Sequence, residues 1–173
     1  MHQPVMWMLE GLPVVNSIEV IIGKLLSERG LTLAVAESCT GGLLGHRITS
    51  VSGASAYFLG GVIAYAYEAK ERLLGVRHAT LYDHGAVSER TAIEMARGAR
   101  RALQADIGLS VTGIAGPGGG MPGKPVGLTW VAVSTRQGER AEKHQWDGDR
   151  EQNTLDSTQA ALELLQRTLE SGL

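Results

Sequence analysis

Two stretches of this chain place hydroxyl and glycine residues directly behind short apolar runs. The first is Ala36-Glu37-Ser38-Cys39-Thr40-Gly41-Gly42, after Leu31-Thr32-Leu33-Ala34-Val35. The second is Thr112-Gly113-Ile114-Ala115-Gly116-Pro117-Gly118-Gly119-Gly120, after Ile107-Gly108-Leu109-Ser110-Val111. A strand that runs into Gly, Ser and Thr exposes backbone N–H groups, and such groups bind anions. Two such loops in one small chain point to a phosphorylated small molecule as ligand. Ser38 and Thr40 stand where a hydroxyl either binds phosphate or caps the next helix. The Gly41-Gly42 pair favours a ligand, because glycine weakens a helix start unless close backbone approach is needed. Gly113, Gly116 and Gly118, behind Thr112, imply the same for the second loop.

A third segment carries a different set: Ser52 and Ser55 in a loop, Tyr65 on a strand, and Lys70 at the following helix. A serine hydroxyl becomes a nucleophile beside a base. Lysine serves as that base if burial lowers its pKa toward neutrality. Spacing alone favours the plainer reading, a surface lysine and a capping serine. Cys39 is the single cysteine. A helix N-terminus would activate its thiol, yet no histidine is placed by sequence to assist, and a lone cysteine is more often a small buried hydrophobe. The run Gly118 to Pro125 nearly spells a nucleoside-triphosphate loop. It fails at Pro125, which offers neither a hydroxyl for magnesium nor an N–H for phosphate.

Composition narrows the classes further. The chain has 173 residues, 43% of them hydrophobic and 20% charged, with a formal net charge of −2. That length suits one domain with a sizeable core, and that charge gives no case for nucleic acid as a partner. Arg97, Arg100 and Arg101 read as the solvated face of a helix. His2, His46, His78, His84 and His144 make no metal-ligand spacing with Cys39, so no metal and no other cofactor is expected. One cysteine excludes an internal disulfide and makes a reducing cytoplasm the default. No segment is long and apolar enough to span a bilayer, so no membrane partner is expected. Residues 1–15 read as an N-terminal extension without the pattern of a signal peptide, and residues 16–173 as a single domain.

The elements that must position these groups can be read from periodicity. Asn16 and Ser17 can cap a first helix that Gly30 ends. Residues 31–36, 61–67, 107–112, 128–135 and 141–146 read as strands. Helices are expected from Thr40 to Ser50, through Ala69 to Leu74, from the Ser88 cap to Leu103, and from Asp149 onward. This alternation predicts a three-layer α/β/α sandwich. Its sheet is mixed and mostly parallel, with a right-handed crossover between the first two strands and an antiparallel hairpin at 128–146.

Taken together, AESCTGGLLGHRITSVSGASAYFLGGVIAYAYEAKERLLGV, HGAVSE, VTGIAGPGGG, KPVGLTWVAV and the Gly148-Asp149-Arg150 triplet resemble the CinA C-terminal domain family. The resemblance covers roughly residues 17–168. The chain lacks the large N-terminal domain of full-length members, so it looks like the stand-alone, PncC-type nicotinamide mononucleotide amidohydrolases. The resemblance implies hydrolysis of the carboxamide to nicotinate mononucleotide and ammonia by a metal-free Ser/Lys mechanism. It implies Ser55 as nucleophile, Lys70 as base and Tyr65 as an assisting residue, with Ser38 and Ser52 in similar contexts. Ser38, Thr40, Gly41 and Gly42, together with Thr112, Gly113, Gly116 and Gly118, would hold phosphate and ribose. Two positions depart from the family pattern. Tyr67 replaces a small polar residue, and Thr154 stands where an arginine is usual, which leaves Arg150 to compensate. A homo-oligomer is also implied. Two other readings stay open: a non-catalytic nucleotide-binding module of the competence or DNA-damage type, and a hydrolase using Cys39.

Overall fold

The computed structural model describes residues 17–172. The N-terminal extension predicted at 1–15 lies outside them. Among these residues five strands form one sheet in the order β2-β1-β3-β4-β5. They are β1 (Leu33–Glu37), β2 (Phe58–Ile63), β3 (Ile107–Gly113), β4 (Leu128–Ser134) and β5 (Glu139–Gln145). β1 pairs in parallel with both β2 and β3, whereas β3–β4 and β4–β5 are antiparallel. The sheet is therefore mixed, as its sequence pattern predicts. Among the described residues six helices flank it: α1 (Ile18–Arg29), α2 (Leu43–Thr49), α3 (Tyr67–Leu74), α4 (His78–His84), α5 (Glu89–Ala102) and α6 (Arg150–Glu170).

Side-chain alternation along β1 divides the core. Leu33 and Val35 face α1, α2 and α6, in a cluster that includes Ile22, Leu44, Leu162 and Leu165. Ala34 and Ala36 face the other layer, with Leu74, Leu81, Met95 and Ala99. Small residues let α5 approach α3 and the sheet closely. A Cβ on Gly98 would stand 2.0 Å from the Leu74 carbonyl oxygen, and one on Gly108 would stand 2.0 Å from that of Ala96. Neither backbone oxygen can retreat without unseating a helix. Gly98→Ala should therefore cost about 3 kcal/mol and lower the melting temperature by roughly 6–12 °C. An unchanged thermal transition would contradict this packing.

Several ends follow the sequence. Gly30 closes α1 in the left-handed region at φ 61°. Ser88 caps α5 by accepting from the Thr91 N–H, and Asp149 caps α6 by accepting from the Gln152 N–H. Others differ. β2 begins at Phe58 rather than 61, because the three-residue helical turn Ala54–Ala56 carries the chain directly into it. α2 begins at Leu43 rather than Thr40, because residues 38–42 form a turn of their own, with Gly41 and Gly42 at φ 59° and 108°. Among the described residues no helix is long and apolar enough to cross a membrane.

The parallel register aligns Glu37 with both Ile63 and Val111. Consequently the chain leaves β1, β2 and β3 at one edge of the sheet. β1 lies between its two parallel neighbours, so connections diverge there. Open α/β sheets bind ligands at such a switch point, outside the carboxyl ends of the strands.

Candidate active site

Ser38 follows β1 on the same face as Ala34 and Ala36, the face covered by α3. Lys70, on α3, is completely buried. Its Nζ lies 2.9 Å from Ser38 Oγ, 2.7 Å from the Ala64 carbonyl oxygen and 3.0 Å from that of Tyr65. Burial without a carboxylate partner lowers its pKa to about 8. At neutral pH the ammonium donates to both carbonyls and to Ser38 Oγ. On losing a proton the amine keeps two N–H groups for the carbonyls and turns its lone pair to the Ser38 hydroxyl. A serine hydroxyl beside a buried amine is an arrangement capable of nucleophilic catalysis.

Ser55 is not brought to this lysine. It is exposed on the helical turn before β2, whereas Lys70 follows β2. Six extended residues separate the two ends of that strand, roughly 20 Å. The expected Ser55–Lys70 pair is therefore corrected to Ser38–Lys70. Ser52 is exposed in the same distant loop. Tyr65 contributes through its backbone, since its carbonyl accepts from Lys70. Its phenol oxygen accepts instead from Arg150 Nη2, 3.2 Å away.

Beside the pair is a cavity of about 240 Å³. Its walls include Ser38, Lys70, Tyr65, Ile114, Gly118 and Arg150. Two cationic side chains and no carboxylate face it, so the cavity favours an anionic ligand. Arg150 Nη1 also donates to the Gly116 carbonyl, 2.8 Å away, which ties the start of α6 to the second glycine loop. The N–H groups of Gly118 and Gly119 donate to no acceptor in the chain among the described residues. A Cβ on Gly113 would stand 2.5 Å from Thr129 Oγ1, so that wall admits only glycine. Thr112 lines the cavity, but its hydroxyl proton is taken up by the Ala86 carbonyl at 2.8 Å. A larger groove, about 460 Å³ between α3 and α5, is lined by Arg77, Arg97 and Arg101 and contains no nucleophile.

The first glycine loop serves a different purpose from the one expected. Glu37, 1% exposed, accepts from Thr40 Oγ1 at 2.7 Å and from the N–H groups of Gly42, Leu44 and Gly45 at 2.9, 3.1 and 2.8 Å. The Gly41 N–H donates to the Ser38 carbonyl and the Leu43 N–H to that of Thr40. The start of α2 is thus already filled, and the Thr40 hydroxyl and the Gly41 and Gly42 N–H groups are not donors left for a phosphate. Of that loop, Ser38 and Cys39 reach the cavity. Desolvation pushes the Cys39 thiol up to about 12. At neutral pH it is a protonated, buried thiol, which argues against a cysteine nucleophile.

Three residues shape the site in ways their sequence context does not reveal. Glu37 looked like the polar end of a strand. Asn153, 1% exposed on α6, donates to the carbonyls of Ala115 and Gly148, holding the second glycine loop to the Arg150 turn. Tyr67, one of the departures from the family pattern, accepts from the Ala86 N–H and steadies the loop that contributes Ala86 and Val87 to the cavity. Thr154 turns its hydroxyl back to the Arg150 carbonyl. Among the described residues no three His, Cys, Asp or Glu side chains gather as metal ligands.

Known proteins resemble this chain over most of its length. A family model described as CinA C-terminal domain matches residues 15–169. A competence-damage inducible protein of Halothermothrix orenii is 57% identical over 149 residues, covering 86% of this chain and 36% of that protein. A CinA-like protein of Salinibacter ruber is 50% identical over 153 residues, covering 88% and 37%. The chain thus spans little over a third of the length of these relatives. The crystal structure of competence damage-inducible protein A from Klebsiella pneumoniae superposes with a TM-score of 0.87 at 35% identity, covering 90% of this chain and 97% of that one.

Proposed function

Because the chain belongs to the CinA C-terminal domain family, we propose that it is an amidohydrolase cleaving the carboxamide of nicotinamide mononucleotide. Ser38 is the nucleophile in this reading and Lys70 the base. The observation that carries it is the buried amine 2.9 Å from a serine hydroxyl, at the mouth of a cationic cavity.

Neutral Lys70 takes the Ser38 proton as Oγ attacks the amide carbon. The charge that develops on the carbonyl oxygen needs donors. The N–H groups of Cys39 and Thr40 suit that role, since neither donates to another residue among those described. The C–N bond then breaks, and Lys70 returns its proton to the departing ammonia. Water, deprotonated by Lys70, cleaves the acyl-enzyme to the carboxylate. The substrate phosphate lies toward Arg150 and the Gly118-Gly119 N–H groups. Binding at that remote group holds the carboxamide against Ser38.

The test is ammonia release from nicotinamide mononucleotide and from free nicotinamide, with chelator present. Wild type should hydrolyse the nucleotide and not the free base. Arg150→Gln should raise KM for the nucleotide by roughly 10- to 100-fold, the worth of one charge-assisted contact. No ammonia from the nucleotide with folded wild-type protein would sink the reading.

A further inference from the structure

We propose that Glu37 is a positioning residue: its buried carboxylate is an internal anion at the start of α2 that sets the Ser38 loop in its reactive geometry and closes that helix end to substrate. The inference rests on Ser38 and Lys70 acting as the pair described above.

The carboxylate is placed unusually. It is 1% exposed and forms no ion pair among the described residues. A buried charge without a cation is costly unless hydrogen bonds replace its water. Here four donors do so, three on Oε2 and one on Oε1. All four come from the nine-residue stretch 37–45, so the acid draws that stretch into a closed turn with Ser38 at its base. The backbone of Ser38 is pinned on both sides as well. Its N–H donates to the Val111 carbonyl at 3.0 Å, and its carbonyl accepts from the Gly41 N–H at 3.2 Å. Only the Ser38 side-chain rotation is left, and Lys70 sets that.

The same contacts divide the loop's donors. Glu37 consumes the N–H groups of Gly42, Leu44 and Gly45. Those of Cys39 and Thr40 are left without acceptors in the chain. An anionic ligand finds no vacant donor at α2 and an unpaired carboxylate behind it. Its negative group must therefore point away from α2, toward Arg150. A plain helix cap would matter to stability alone. A positioning residue alters the reaction of Ser38 while the cavity still binds.

Glu37→Gln keeps the shape but turns one acceptor into a donor, which must face at least one of the N–H groups. Three readouts separate the roles: phosphonylation of Ser38 by a fluorophosphonate followed by intact mass, kcat and KM for nicotinamide mononucleotide, and the melting temperature. Labelling rate and kcat should fall together, on the order of 10²-fold, with KM within about twofold of wild type. Thr40→Val, which removes one bond to Oε2, should slow labelling roughly tenfold, and Thr40→Ser should restore it. Glu37→Gln labelled as fast as wild type overturns the proposal. If that variant does not fold, Thr40→Val labelled as fast as Thr40→Ser overturns it instead. Wild-type Ser38 that resists labelling sinks the nucleophile and this role with it. Normal labelling without ammonia release sinks only the choice of substrate, and the comparison of variants still decides the role of Glu37.

Discussion

Lys70→Met should reduce nicotinamide mononucleotide hydrolysis by on the order of 10²–10⁴-fold, the usual worth of a general base, while the protein stays folded. Methionine replaces the apolar stem, so packing is kept. Two energies then oppose each other. Depression of the lysine pKa from 10.5 to about 8 means that the folded state resists the charge, by about 3 kcal/mol at pH 7. Removing the amine relieves that cost. It also leaves the Ala64 and Tyr65 carbonyls without their donor, at roughly 1–3 kcal/mol each. The variant should thus melt close to wild type, and lost activity would report chemistry rather than unfolding.

The pH dependence follows from the same shift. The base must be neutral, so wild-type kcat/KM should fall as pH drops below about 8 and level off above it. Stability moves in the same direction for a separate reason. Between pH 8 and 10.5 the unfolded chain holds a proton on this lysine that the folded chain has lost. Wild type should therefore gain stability across that window, and Lys70→Met should not show the gain. Denaturant melts at pH 7.5 and 10 check this. A variant as active as wild type would remove Lys70 from the mechanism.

Ser38→Ala should cost on the order of 10⁴-fold or more in kcat, since loss of the nucleophile in a serine hydrolase leaves only the oxyanion and binding contributions. Ser55→Ala should leave kcat and KM within about twofold of wild type. The contrast rests on topology. β2 lies between Ser55 and Lys70, and no side-chain rotation spans a strand. Assaying the two variants side by side decides between them. Activity that survived Ser38→Ala and vanished with Ser55→Ala would require a fold in which the lysine reaches the opposite edge of the sheet.

That contrast also marks where the sequence could and could not be read. Strand and helix order came from apolar periodicity, and the caps at Ser88 and Asp149 from residue type, because both signals are local. Lys70 was found by resemblance, and its burial agrees with the role. The choice of serine depends on which end of β2 faces the lysine. That is a property of parallel pairing, and the motif resemblance that points to Ser55 in the GASAYF segment carries no information about it. Glu37 was missed for a related reason. A glutamate closing an apolar strand looks like a solvated end, and only its four donors reveal a buried acid. The Gly41-Gly42 pair reads as a ligand loop, but its glycines serve the positive φ of the turn, 59° and 108°, and the carboxylate that the turn surrounds is the chain's own Glu37.

Ser38 and Lys70 lie within one β-α-β segment and the helix that follows it, whereas the Gly116–Gly119 wall and Arg150 come from the second half of the chain. In the proposed reading, bond breaking and ligand choice are thus encoded in separable stretches of sequence. The later stretch can be lengthened, recoloured with charge or grafted from a relative while the dyad keeps its setting. A scaffold divided this way invites retargeting to other anionic amides by exchange of the 114–126 loop alone.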